Sequence, residues 1–189
     1  DDLLMAPSTW YNENNIQLYL GDPITRVDRI TKTVESLKGV SLSYDILILA
    51  TGSSAFVPPI PGVEKNGVFI YRTIEDLEMM TSYARKVKRG AVIGGGLLGL
   101  EAAKAMIDLG IADTSVIEFA PRLMPRQIDE AGSNLLKSKL ELLGLKILTG
   151  KNTTEITGED NITGMRFSDN SQLDVEMLVI SAGIKPRDE

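Results

Sequence analysis

A chain of 189 residues with 43% hydrophobic content can bury the core of one fair-sized domain or of two small ones. Its net charge of −6 leaves no broad basic field for a nucleic-acid backbone or an anionic membrane surface, so neither is expected as a partner. With no cysteine and no histidine, these residues exclude a Cys/His zinc site, a dithiol redox centre and a His-based triad, and chemistry here needs a cofactor or carboxylates.

No apolar run nears the ~20 residues that span a bilayer, and "DDLLMAPSTWYNEN" lacks a basic segment followed by an apolar one. A cytoplasmic location is the expectation. The chain starts with Asp and stops just past an apolar run in "SAGIKPRDE", so a fragment is expected. From Ile16 onward, "IQLYL", "ITRVDRI" and "TKTVESL" suggest short strands of a meander that feeds a buried strand, "DILILA". The prolines of "FVPPIPGVEKNG" (56–67) predict an extended connector at a domain crossing.

Thr73 and Asp76 have capping-box spacing, and Leu77, Met80 and Ala84 follow at helical intervals, so a helix starts near residue 74. "AVIG" is a short buried strand. Ala102, Ala105, Met106 and Leu109 mark the next helix, which ends at Gly110, and "TSVIE" is the following strand. Leu136, Leu140 and Leu143 place a further helix ending at Gly144. "LKILTG", "NTTEIT", "ITGMRF" and "LDVEMLVIS" then return to strand character.

"GAVIGGGLLGLE" (90–101) holds Gly94, Gly96 and Gly99 in G-x-G-x-x-G spacing, between a strand and a helix, and Glu118 ends the next strand 19 residues past Gly99. That arrangement suits a dinucleotide: Gly94 for the tight turn, Gly96 for backbone approach to a pyrophosphate, Gly99 for helix–strand packing. Gly95 and the first-turn amides of Leu97 and Leu98 complete the expected cradle. A carboxylate at Glu118 accepts the ribose hydroxyls and repels a 2′-phosphate, so NAD(H) is expected over NADP(H), with Arg122 and Arg126 softening that discrimination. The plainer alternative is a flexible loop with a solvated charged turn. Glu101 reads equally as a first-turn acid or as a group facing the cofactor.

Two distant segments match: "YDILILATGSSAFVP" from Tyr44 and "VEMLVISAGIKP" from Val175, with Asp45 aligned on Glu176 and Gly52 on Gly183 at one spacing of 131 residues. Apart from coincidence among apolar strands, this fits a chain that leaves one domain and re-enters it by an equivalent strand. The predicted organisation is α/β: a Rossmann-like domain over 73–178 inserted into a partial domain that comprises 1–72 and resumes at 179–189.

On these residues the chain resembles the flavoprotein pyridine nucleotide-disulfide oxidoreductases, with "ATG" at Ala50–Gly52 and "AGIKPR" at Ala182–Arg187 marking the two crossings. Within that family, "WYNENNI", "YRTIEDLE", "GGGLLGLEAAKAM" and "APRLMPRQID" resemble the N-terminal region of NAD(P)H-dependent nitrite reductase large subunits. The resemblance implies NADH passing a hydride to FAD, with Thr51, Gly52 and Gly183 against the flavin and Glu101 as the catalytic-site residue near the nicotinamide. It also implies that most of the FAD site, together with an iron–sulphur and sirohaem module, lies outside these residues. The isolated piece is then expected to be inactive, and its unpaired strand edges to favour association, a homodimer included. Rival readings are the same architecture serving a rubredoxin or ferredoxin reductase, an NADH oxidase or a coenzyme A disulfide reductase. More distant ones are a methyltransferase using S-adenosylmethionine and a non-catalytic NAD sensor.

Overall fold

The computed structural model describes residues 5–188 and divides into two compact units, residues 1–50 and 51–189. The first unit holds a short helix, α1 (Ser8–Glu13), and an antiparallel meander of β1 (Ile24–Asp28), β2 (Thr33–Ser36) and β3 (Ser41–Ser43). Asp22 pins the meander, accepting from the Ser36 hydroxyl at 2.7 Å and the Lys38 N–H at 2.9 Å.

The expected strands "IQLYL" and "DILILA" are absent: neither segment pairs with another strand among the described residues. A strand exists only where a neighbour takes its ladder hydrogen bonds. The apolar side chains of the second segment stand in the open, with Ile46 84% and Ile48 83% exposed.

The second unit opens with β4 (Ser53–Ala55), β5 (Val68–Ile70) and α2 (Ile74–Ala84), followed by β6 (Arg89–Ile93), α3 (Leu97–Asp108) and β7 (Asp113–Glu118). Next come α4 (Glu130–Leu142), β8 (Lys146–Thr149), β9 (Thr153–Thr157), β10 (Gly164–Phe167), β11 (Gln172–Asp174), β12 (Met177–Ile180) and β13 (Ile184–Pro186). Five strands form a parallel sheet in the order β5-β12-β6-β7-β8. Its edge strand β5 is drawn from before residue 73, so the sheet begins upstream of the first predicted helix.

Side chains of a strand alternate between faces, and here the alternation sorts the core into two. Val92, Val116, Met177 and Val179 join Met80 and Ala84 of α2 and Leu100, Ala103 and Met106 of α3. Ala91, Ile117, Leu178 and Ile180 point the other way, onto Ile156, Met165 and Phe167 of the antiparallel sheet β9-β10-β11. Burial on both faces explains why the parallel strands read as continuous apolar runs.

Helix ends follow the local code. Thr73 and Asp76 make both bonds of a capping box, and Gly110 and Gly144 follow their helices with φ of 96°, the left-handed residue a C-terminus favours. Asp129 caps α4 through the Gly132 N–H at 2.8 Å. The proline segment is not the extended connector expected: Val63 and Lys65 donate back to Ile60 and Gly62, closing turns that the positive φ of Gly62 (93°) permits. It packs on β9, where the Ile156 N–H donates to the Pro61 carbonyl at 2.8 Å.

The two repeated segments meet through β4 and β13, which pair antiparallel with Ser54 opposite Lys185. Those residues are also equivalents in the repeat, 131 apart, so the ribbon has local two-fold character. Burial separates the strands that lead into it. Met177–Ile180 is buried between β5 and β6, whereas its repeat mate, residues 46–49, is not in a strand.

Candidate functional site

Each glycine of the turn answers to a different neighbour. Gly94 follows β6 with φ of 121°, and a Cβ there would lie 2.2 Å from the Ser181 carbonyl oxygen. A Cβ on Gly99, in the first turn of α3, would lie 2.0 Å from the Gly94 carbonyl oxygen. Both are closed by the protein itself. Around a Cβ at Gly96 there is nothing within 4 Å, although its φ of −84° and ψ of 179° are open to any residue. The fold itself does not require glycine there, and the space beside this backbone is open. As N-cap of α3, Gly96 supplies no capping side chain, so the amides at Leu97 and Leu98 remain for a ligand or water.

Gly95 serves the turn rather than the opening. Its N–H donates to Oε2 of Glu118 at 2.6 Å, and a Cβ would press on Leu123 at 2.7 Å. The Ala120 N–H donates to Oε1 of Glu118 at 2.7 Å. Two amides thus orient a half-buried carboxylate at the end of β7, and each oxygen keeps acceptor capacity for a ribose hydroxyl.

Two clefts meet at Gly96, at the carboxyl end of the parallel sheet, where open α/β sheets take ligands. One, of about 340 Å³, runs past Gly94 to Glu118, Phe119 and Arg126. The other, of about 270 Å³, is walled by Leu97, Leu98, Tyr71, Arg72, Ala55 and Ile184. Ser181 and Gly183 line both. A larger cavity of about 700 Å³ lies between β5 and α2 and includes none of the turn glycines.

The arginines after Glu118 part company. Arg126 lines the first cleft, whereas Arg122 donates to the Pro125 carbonyl at 3.1 Å and braces the loop. Glu101 is exposed on α3 and lines neither cleft. Thr51 and Gly52 are joined to the second crossing: the Thr51 hydroxyl donates to the Arg187 carbonyl, and the Arg187 N–H to the Gly52 carbonyl at 3.1 Å. Phe119 lies outside the quoted segments, and "YRTIEDLE" and "VEMLVISAGIKP" give Tyr71, Arg72 and Ser181 no site role of their own; the pairing of β5 with β12 is what brings Tyr71, Arg72 and Ser181 to one sheet end.

Behind the site, Glu176 anchors the start of β6. Its carboxylate accepts from the N–H groups of Lys88 (2.9 Å) and Arg89 (3.0 Å), and these bonds hold its pKa below the usual glutamate value. Asp169 is held well below the carboxylate range by Lys151 and Ser171. Among the described residues no cluster of three metal-ligating side chains occurs, and no helix is long and apolar enough to cross a membrane.

The family model described as pyridine nucleotide-disulphide oxidoreductase matches residues 7–189. The chain belongs to that family. The nitrite reductase (NADH) large subunit of Escherichia coli (strain K12) is 46% identical over 191 residues, covering 100% of this chain and 22% of that protein. The nitrite reductase [NAD(P)H] of Bacillus subtilis (strain 168) is 45% identical, over 98% of this chain and 23% of its own length. The chain therefore spans less than a quarter of the length of those relatives. Among solved structures, the ferredoxin reductase for the CYP199A2 system from Rhodopseudomonas palustris superposes with a TM-score of 0.90 at 28% identity, over 98% of this chain and 46% of that one.

Proposed function

We propose that this chain is the nucleotide-binding, electron-input part of an NAD(P)H-dependent nitrite reductase, taking NADH in preference to NADPH. The observation that carries the reading is the contrast at the turn: Gly94 and Gly99 are closed by protein atoms while Gly96 is open, beside a carboxylate fixed by two amides. A dinucleotide fits these residues. Its pyrophosphate belongs at Gly96 and the Leu97 and Leu98 amides, its adenosine ribose at Glu118 and its adenine beside Phe119. The nicotinamide end then enters the cleft of Tyr71 and Leu98, with Glu101 proposed nearby.

When bound, the nicotinamide supplies a hydride and the flavin accepts it. The chain's own share is to fix the pyrophosphate, select the ribose and orient the ring at the cleft mouth. For FAD the fit is partial. Thr51, Gly52 and Gly183 offer an edge, but the one G-x-G-x-x-G of the chain already serves the dinucleotide. Iron–sulphur and sirohaem groups find no ligand set here and are assigned to the remainder of the protein. The nitrite reductase reading is preferred to the rival ferredoxin reductase because identity is 46% and 45% against 28%.

The test is anaerobic stopped-flow mixing of the full-length protein with NADH and NADPH, followed by addition of nitrite. Fast flavin bleaching by NADH, slower bleaching by NADPH and reoxidation by nitrite are expected. Bleaching without reoxidation by nitrite would leave the nucleotide site standing and refute the acceptor.

A further inference from the structure

The second cleft carries one basic side chain that the dinucleotide fingerprint does not include. Arg72 follows β5 at the carboxyl end of the sheet, and its backbone is held by the start of α2: its N–H and that of Thr73 donate to Oδ2 of Asp76 at 3.1 and 2.8 Å. The side chain is exposed, and its Nη2 donates to the Ser53 hydroxyl at 2.8 Å. That hydroxyl is the sole partner of the guanidinium among the described residues, so the rest of its N–H fork is unengaged and no carboxylate neutralises it.

In a chain of net charge −6, an arginine without an acid sits on the wall of a cleft also lined by Gly96, Leu97 and Leu98, at the uncapped end of α3. Both features favour negative charge at the same place. The guanidinium fork matches phosphate oxygens in a paired, planar geometry that a lysine lacks. We propose that Arg72 pairs with the pyrophosphate of the bound dinucleotide, closing the cradle on the side that the α3 amides leave open. The Ser53 hydroxyl acts as a positioning group, holding the fork toward the cleft. This inference rests on the dinucleotide reading above.

Titration of the protein with NADH and, separately, with ADP tests it, because ADP keeps the paired phosphates and lacks the nicotinamide half. Arg72→Ala is expected to weaken both ligands by the same factor, roughly ten- to a hundredfold. It should also flatten the salt dependence of binding and leave the melting temperature unchanged, since the side chain is exposed. Arg72→Lys should recover only part of the affinity, and Ser53→Ala should lose less than Arg72→Ala. Unchanged affinities in Arg72→Ala, or a loss for NADH with none for ADP, would overturn the pyrophosphate contact. A wild-type protein that binds neither ligand would instead refute the dinucleotide reading, and the contact with it.

Discussion

The Gly95 N–H and Oε2 of Glu118 are joined at 2.6 Å, so the carboxylate proposed to take the ribose also ties the glycine turn to the next strand. With Oε1 taking the Ala120 N–H, the side chain has little freedom to swing from a 2′-phosphate. Turn geometry and the proposed selectivity for NADH would then rest on one residue.

Glu118→Arg is therefore expected to act twice. It narrows or reverses the preference for NADH, since a cation replaces the repelling carboxylate, and each ~1.4 kcal/mol of that change is tenfold in affinity. It also strips two amides of their acceptor, so the melting temperature falls. Titration with both nucleotides, beside a thermal melt, separates the effects; equal affinities in the unmodified protein would contradict the ribose assignment.

Gly99→Ala should fail through the fold, not the ligand. Its Cβ would meet the Gly94 carbonyl oxygen at 2.0 Å, forcing α3 away from β6 at a cost of about 1–3 kcal/mol. Chemical denaturation measures it. A variant as stable as the parent would mean the helix is not packed as described.

Acid should loosen the anchor of β6. Glu176 has a folded-state pKa below its ordinary 4.5, so its contribution to stability is complete above that value and is lost as pH falls through the lowered one. Glu176→Gln should flatten the fall of melting temperature over that acid window. An unchanged profile would remove Glu176 from the account.

In the full-length protein, Glu101→Ala is expected to slow flavin reduction by NADH more than it weakens NADH binding. Stopped-flow bleaching at saturating NADH is the measurement. An unaltered rate would make Glu101 an ordinary exposed acid of α3.

What the sequence made legible was local. The Thr73–Asp76 box, the glycines at 110 and 144 and the strand–turn–helix at Gly94–Gly99 depend on residues a few positions apart, and the structure builds them as read. The repeat was legible too, yet its antiparallel closure through Ser54 and Lys185 was not, since pairing direction leaves no periodic mark. "DILILA" has the composition of a strand without forming one, because an apolar run records what a segment can bury, not whether a neighbour is there to pair with it. Arg72 and Phe119 have no spacing that marks them, because long-range strand pairing and loop placement put them beside the turn. Spacing alone groups Gly95 with its neighbours in the cradle, and only the fold shows that its amide donates to Glu118.

The most direct test of the central claim is calorimetric titration of the protein with NADH, before and after Gly96→Val. Because nothing lies within 4 Å of a Cβ at Gly96, the variant is expected to fold, and its side chain should occupy the space proposed for the pyrophosphate. Saturable NADH binding in the parent and its loss in a folded Gly96→Val protein is the predicted result. A folded variant that binds NADH as tightly as the parent would contradict the claim.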